Sequence, residues 1–408
     1  MNTMRRTSKL ATLCLAAMVA TGCAAPQRQH AVPRDLQDRA VIPGMGPEIR
    51  TWGAEANPEF MKKLIQSVSW EREALAAAGH TGPLPRADFL GISGGGSNGA
   101  FGAGLFCGWT EAGTRPAFKV VTGISTGALT APFVFAGPEY DHVLREVYTK
   151  TTTEQILDPR GLISAMFNDA MADTKPLWNT LSKYVDDKLL SAIATEYKKG
   201  RILVIGTTNL DARRAVLWNI GEIAASGHPK ALETVRRIMI ASAAIPGAFP
   251  PVFFDVEVDG KKYQEMHVDG GTMTQVFLYP PSMKLREEAA ARGVTRERRA
   301  YVIRNARLNP DWADVDRKLM PIAARAIDSL LHTQGVGDLY RIYLNAQRDG
   351  IDYNLAFIPP SFTLESKEPF DPEYMTKLFQ VGFDMAKKGY PWEKTPPAFD
   401  MAPAAAAP

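Results

Sequence analysis

Ser125 lies in Gly123-Ile124-Ser125-Thr126-Gly127, a GxSxG pattern. A serine hydroxyl becomes an effective nucleophile only when a neighbouring base removes its proton. The flanking residues decide whether the pattern has meaning. Lys119-Val120-Val121-Thr122 reads as a strand, and Ala128-Leu129 opens a helical stretch. On such a turn the serine projects from the carboxyl end of its strand, and Gly123 and Gly127 remove side chains that would clash. A second element, Gly94-Gly95-Gly96-Ser97-Asn98-Gly99, falls between another strand and helix. Its bare N–H groups beside a helix N-terminus suit an anion, either a phosphate or the oxyanion of acyl transfer. A third, Val268-Asp269-Gly270-Gly271, ends an apolar run. Gly270 and Gly271 let the carboxylate turn back into a crowded site, although Asp-Gly by itself is a common turn.

Together the three motifs resemble the patatin-like phospholipase family. The stretch Ala241-Ser242-Ala243-Ala244-Ile245-Pro246-Gly247-Ala248-Phe249-Pro250-Pro251 looks like the family block that precedes the aspartate, so the resemblance covers roughly residues 88–274. It implies a three-layer α/β/α fold with a mainly parallel central sheet. It also implies a Ser125–Asp269 catalytic dyad, with an oxyanion hole drawn from the amides of Gly94, Gly95, Gly96, Ser97 and Asn98. The activity implied is hydrolysis of carboxylic esters of lipids, with a phospholipid or other lipid ester as substrate and no cofactor. Asn98 stands where the family's loop often carries Arg or Lys, and an amide donates a hydrogen bond without bringing charge.

Other chemistries fit less well. Gly94-x-Gly96-x-x-Gly99 matches a dinucleotide fingerprint, but the next strand ends in Gly-Ile-Ser rather than in the acidic residue a ribose needs. No Gly-Lys-Ser/Thr follows, so the loop is not a P-loop. A Ser-Asp-His triad in that chain order would need His332, the one histidine after Asp269, and Leu330-Leu331-His332-Thr333 reads as a helix interior. His267 would share a strand face with Asp269, and a structural role is expected for it. Cys107, between Phe106 and Gly108, reads as core packing. Arg213-Arg214 and Arg236-Arg237 could touch phospholipid headgroups, but solvated faces are the simpler reading. Three cysteines without a CxxC pair or a Cys/His cluster give no metal site. No EF-hand-like loop suggests calcium. A non-enzymatic alternative is a membrane-tethered lipoprotein that uses the same fold for binding or assembly with little turnover.

The elements that must position these residues follow from periodicity. Asp88 to Ser93, Lys119 to Thr122, Ile202 to Thr208 and Ala300 to Arg304 read as strands, and Val252 to Val258 with Lys262 to Val268 as a hairpin around Asp259-Gly260. Helices are expected over Asn57 to Ala78, Ala100 to Glu111, from the GxSxG turn through Phe135, and over Val235 to Ala244. Two or three more fall between Arg317 and Lys388. Leu162 to Leu190 reads as helical core, with a mobile lid as the alternative. Strand–helix alternation of this kind implies a parallel sheet covered on both faces.

The N-terminus reads as an address. Arg5, Arg6 and Lys9 precede an apolar run from Leu10 to Ala20, too short to span a bilayer. Ala20-Thr21-Gly22-Cys23 resembles a bacterial lipobox, which implies a signal peptide over residues 1–22 and lipidation of Cys23. Ala24 after the cysteine, without an aspartate, favours the outer membrane, periplasmic face. The expected organisation is a tether over 23–56, an acyl hydrolase domain over 57–395 and a Pro/Ala-rich tail over 396–408. A net charge of +3 over 408 residues offers no electrostatic case for nucleic acid.

Overall fold

A computed structural model describes residues 28–159 and 172–399. The expected signal peptide, Cys23, part of the Leu162–Leu190 stretch and most of the tail lie outside the described residues. Nine strands form one mixed sheet: β1 (Arg50–Trp52), β2 (Ala87–Ile92), β3 (Val120–Gly123), β4 (Ile202–Asn209), β5 (Arg214–Asn219), β6 (Val252–Val258), β7 (Lys261–Asp269), β8 (Arg298–Arg304) and β9 (Asp352–Phe357). The main path runs β1-β5-β4-β3-β2-β8-β9. Strands β9, β8, β2, β3 and β4 are parallel, and β5, β1 and the β6–β7 hairpin are antiparallel. The mainly parallel, three-layer expectation holds.

The helices that matter here are α1 (Pro58–Ala77), α2 (Gly99–Glu111), α3 (Thr126–Ala136), α4 (Asp141–Lys150), α5 (Lys175–Tyr184), α6 (Asp187–Lys198), α7 (Ala231–Ala243), α8 (Leu285–Ala290), α9 (Leu319–Asp349) and α10 (Pro372–Lys387). Alternation along the strands sorts them into two layers. Leu90, Ile92, Val121, Leu203, Ile205 and Ile303 face the large core built with α2 to α7 and α10. Phe89, Val302 and Leu355 face α9, and Ile202 and Val204 face α1. Because both faces are covered, the central strands read as near-continuous apolar runs, as parallel strands should. Helix α1 begins where Asn57 caps it, accepting from the Phe60 N–H at 2.7 Å with Pro58 in the first turn.

Three expectations need amendment. Residues 28–56, expected as a tether, lie along the domain instead. Arg28 forks onto Asp211, Val41 bridges Glu257, and β1 pairs with β5. The buried Arg50 guanidinium bonds Glu265 at 2.5 Å. A polar, proline-rich composition does not reveal that its arginines have carboxylate partners more than 180 residues away. Strands β1 and β5 were not expected, and β9 falls within the region read as helices only. Finally, part of the expected tail is packed: the Pro397 carbonyl accepts from Tyr340 at 2.5 Å and Phe399 meets Tyr343 edge to face.

Candidate active site

One feature of the sheet brings Ser125 and Asp269 together. Strand β3 runs parallel to β4 and stops when Gly123 lies opposite Ile205. The slot beside the rest of β4 is filled by β7, which runs antiparallel and ends with Asp269 opposite Thr207. Two strands thus meet head-on along one edge of β4, and their last side chains share the gap. The Ser125 hydroxyl lies near enough to the Asp269 carboxylate to favour its charged form.

The turn after β3 is tight. Ser125 takes φ 54° and ψ −125° just before α3, a conformation that costs a non-glycine residue roughly 1–3 kcal/mol. A Cβ on Gly123 would collide with the Gly127 carbonyl, and one on Gly127 with the Ile92 carbonyl, so the elbow closes only with glycine at both places. A hydrogen-bond chain holds it. The Ser125 N–H donates to Ser242 Oγ at 3.0 Å, and Ser242 donates to the Gly206 carbonyl at 2.6 Å. Ser242 is fully buried on α7.

Asp269 is 5% exposed. Its N–H donates to the Ala244 carbonyl at 2.9 Å, and its Oδ1 accepts from the Gly271 N–H at 2.7 Å. Gly270 and Gly271 pack tightly against the Gly206 carbonyl and the Gln275 side chain, so the turn has no room for larger residues. Burial pushes the Asp269 carboxyl up to about 7, and the nearby Ser125 hydroxyl and the Gly271 N–H only partly offset that. Withdrawing a carboxylate from water disfavours its charge, which makes it a stronger base.

The glycine loop lies against this pair. A Cβ on Gly94 would stand 3.1 Å from Ser125 Cβ. The Gly94 N–H is committed to the Gln275 carbonyl at 3.1 Å, and the Asn98 N–H to the Gly95 carbonyl at 3.0 Å. Both amides, expected among the oxyanion donors, are therefore engaged within the fold. The amides of Gly95, Gly96 and Ser97 make no hydrogen bond among the described residues. Gly95, at φ 155°, sits so close to Asn305 that a Cβ would overlap the Asn305 carbonyl. The Asn98 side chain is turned by α10: its Oδ1 accepts from Tyr374 at 2.5 Å.

Two residues the sequence did not single out tie the loop down. Buried Asn305 donates through Nδ2 to the Ser93 carbonyl at 3.0 Å and accepts from the Gly102 N–H at 3.1 Å. Gln275 links loop and aspartate turn. Its backbone carbonyl takes the Gly94 N–H, while its Nε2 donates to the Gly271 carbonyl at 2.9 Å. No local pattern marks either residue; each matters because of what folds beside it.

The histidines stand apart. His267 is fully buried, with Nδ1 2.9 Å from Thr207 Oγ1 and Nε2 3.1 Å from Glu265. The Glu265 carboxylate can only accept, so the proton of the neutral ring sits on Nε2, and Nδ1 accepts from the Thr207 hydroxyl, whose oxygen also takes the Trp218 Nε1–H at 2.8 Å. Burial holds the imidazole below its ordinary range, and both nitrogens are used away from Asp269. His332 is half-buried on α9 and bonds neither Ser125 nor Asp269 among the described residues. Cys107 packs in the core, where burial pushes its thiol up to about 12. Arg236 and Arg237 spend their guanidinium groups on the Val185 and Phe253 carbonyls, and Arg214 stacks over Trp52.

A serine paired with a buried, basic carboxylate beside unpaired amides can carry out acyl transfer without metal or cofactor. Residues 90–279 match the family model Patatin, patatin-like phospholipase. Among solved structures, VipD from Legionella pneumophila superposes with a TM-score of 0.35 at 12% identity, over 75% of this chain and 66% of VipD. The type III effector protein ExoU gives a TM-score of 0.32 at 12% identity, over 75% of this chain and 53% of ExoU. The chain therefore spans just under two thirds of the first and about half of the second. No curated protein matches the sequence at a significant level.

Proposed function

We propose, from the match of residues 90–279 to the patatin-like phospholipase family model, that the chain hydrolyses carboxylic esters of lipids, with Ser125 as nucleophile and Asp269 as its base. Ser125 Oγ attacks the ester carbonyl carbon as its proton passes to Asp269. The carbonyl oxygen becomes an oxyanion held by the free amides of Gly95, Gly96 and Ser97. Each such donor contributes about 3 kcal/mol of transition-state stabilisation. The tetrahedral intermediate collapses, the alcohol leaves with the proton from Asp269, and an acyl group remains on Ser125. Water then attacks that acyl group while Asp269 takes a proton; the bond from the acyl carbon to Ser125 Oγ breaks, Asp269 returns the proton to Oγ, and the free fatty acid departs.

The observation that supports this reading most is the head-on meeting of β3 and β7 along β4, which brings the Ser125 turn and Asp269 to one gap beside the free amides of the glycine loop. Its substrate is a phospholipid, a lysophospholipid or another lipid ester. The proposal extends to location: export, a lipid on Cys23, and residence at the bacterial outer membrane. Metabolic labelling with an alkyne fatty acid, lost in Cys23→Ala, tests that part separately.

A fluorophosphonate probe tests the chemistry. The expected result is a single adduct on Ser125, absent from Ser125→Ala. Hydrolysis of short-chain esters is lost in the same variant and kept in His332→Ala. A chain that neither labels nor hydrolyses any ester would instead be a lipoprotein that uses the fold for binding.

A further inference from the structure

A second apolar site lies away from Ser125, over the amino ends of β3 and β4. Met61, Leu64, Ile65 and Val68 of α1 face Phe277 and Met283 across a groove of about 150 Å³. These α1 residues are only half-buried, although they lie on the helix's inward side. Apolar side chains left facing an open groove are stabilised when hydrocarbon rather than water covers them. The amphipathic helix thus leaves much of its apolar stripe unmatched by protein.

The groove's charge is one-sided. Four cations line it, Lys119, Arg292, Arg296 and Arg298, against one carboxylate, Glu288. Glu71 is shared by Lys119 and Arg296, each at 2.7 Å, and Glu288 pairs with Arg292. That leaves Arg298, half-buried and without an ion pair or hydrogen bond among the described residues. Burial and the neighbouring Arg296 lower its pKa and the Asp349 carboxylate only partly offsets them, so an arriving anion would relieve both penalties.

We propose that this groove binds a free fatty acid, its chain between α1 and the Phe277–Met283 segment and its carboxylate on Arg298. The site is separate from the ester-hydrolysing one: Val120, in its floor, opens β3, whereas Ser125 follows the end of that strand. Binding there does not require Ser125 to react. The chemistry that would fill it is nevertheless the product of the proposed reaction, which makes the groove a place where accumulated product meets the enzyme.

The test is photo-crosslinking of the full chain with a diazirine-bearing hexadecanoic acid, with adducts located by mass spectrometry. Adducts on Met61 to Val68 and on Phe277 to Met283 are expected, suppressed by excess dodecanoate. Leu64→Trp, which fills the groove, should remove those adducts while leaving any near Ser125. Arg298→Ala keeps the walls intact; it should weaken competition by dodecanoate about fivefold, the contribution of one partly exposed ion pair, and leave competition by dodecanol unchanged. Adducts confined to the surroundings of Ser125, or dodecanoate and dodecanol responding equally to Arg298→Ala, would overturn the proposal. A chain inert to fluorophosphonate but labelled in the groove would retain this inference while losing the hydrolase reading.

Discussion

Asp269→Asn should abolish turnover and, above neutral pH, make the protein more stable. Burial holds Asp269 at about 7, against an ordinary value of 3.8. Between those two values the folded chain binds a proton that the unfolded chain has released, so folding stability falls as pH rises through that window. A displacement of roughly three pKa units corresponds to about 4 kcal/mol, fully expressed above the folded value and absent below about pH 4. Asparagine removes the charge and keeps an oxygen for the Gly271 N–H, which lies 2.7 Å from Oδ1. It thereby mimics the protonated acid. Urea unfolding of both proteins from pH 4 to pH 9 reads the effect directly. The two curves should coincide near pH 4 and diverge progressively to pH 8, with the variant the more stable. A stability difference that does not change with pH, or a variant less stable at pH 8.5, would refute the claim that this carboxyl is buried and held as a base.

The same carboxyl shapes the kinetics: kcat/KM for an uncharged ester should rise with pH through an apparent pKa of about 7 and then level off, because only the ionised form accepts the Ser125 proton. A flat profile from pH 5 to 9 would remove Asp269 from that role. Ser242→Ala leaves the Ser125 N–H and the Gly206 carbonyl without their buried partner, at roughly 1–3 kcal/mol each; thermal unfolding should shift down and turnover fall with it. Gly95→Ala forces a methyl into the Asn305 carbonyl, whereas the corresponding space at Gly96 is open. The first should lower kcat at least about a hundredfold through loss of loop geometry, and the second should cost only about 1–2 kcal/mol of backbone strain, read as a shift in urea midpoint.

Much of this was legible before folding. The strands β2, β3, β4 and β8 and the helices α2, α3 and α7 announced themselves by apolar runs and by periodicity, and the β6–β7 hairpin by Asp259-Gly260. Strand β5 was missed because its apolar run, Ala215 to Trp218, is short and follows two arginines. The ordering of residues 28–56 was missed because the partners of Arg28 and Arg50 lie on distant strands. The candidate oxyanion donors were named as a set of five; the fold engages Gly94 and Asn98 and leaves Gly95, Gly96 and Ser97.

Residue types and local spacing alone determined the class of chemistry: a serine between glycines after a strand, a glycine loop before a helix and an aspartate ending an apolar run each state a capability that needs no knowledge of the rest of the chain. Whether those capabilities cooperate was decided by tertiary structure. Strand β3 ends early enough for β7 to enter beside β4 from the opposite direction, which places Asp269 against Ser125 and takes both out of water. Local sequence cannot encode that meeting: burial by the fold sets the basicity of the carboxyl, and Ser242, Gln275 and Asn305, from separate parts of the polypeptide, hold the turns that border the gap.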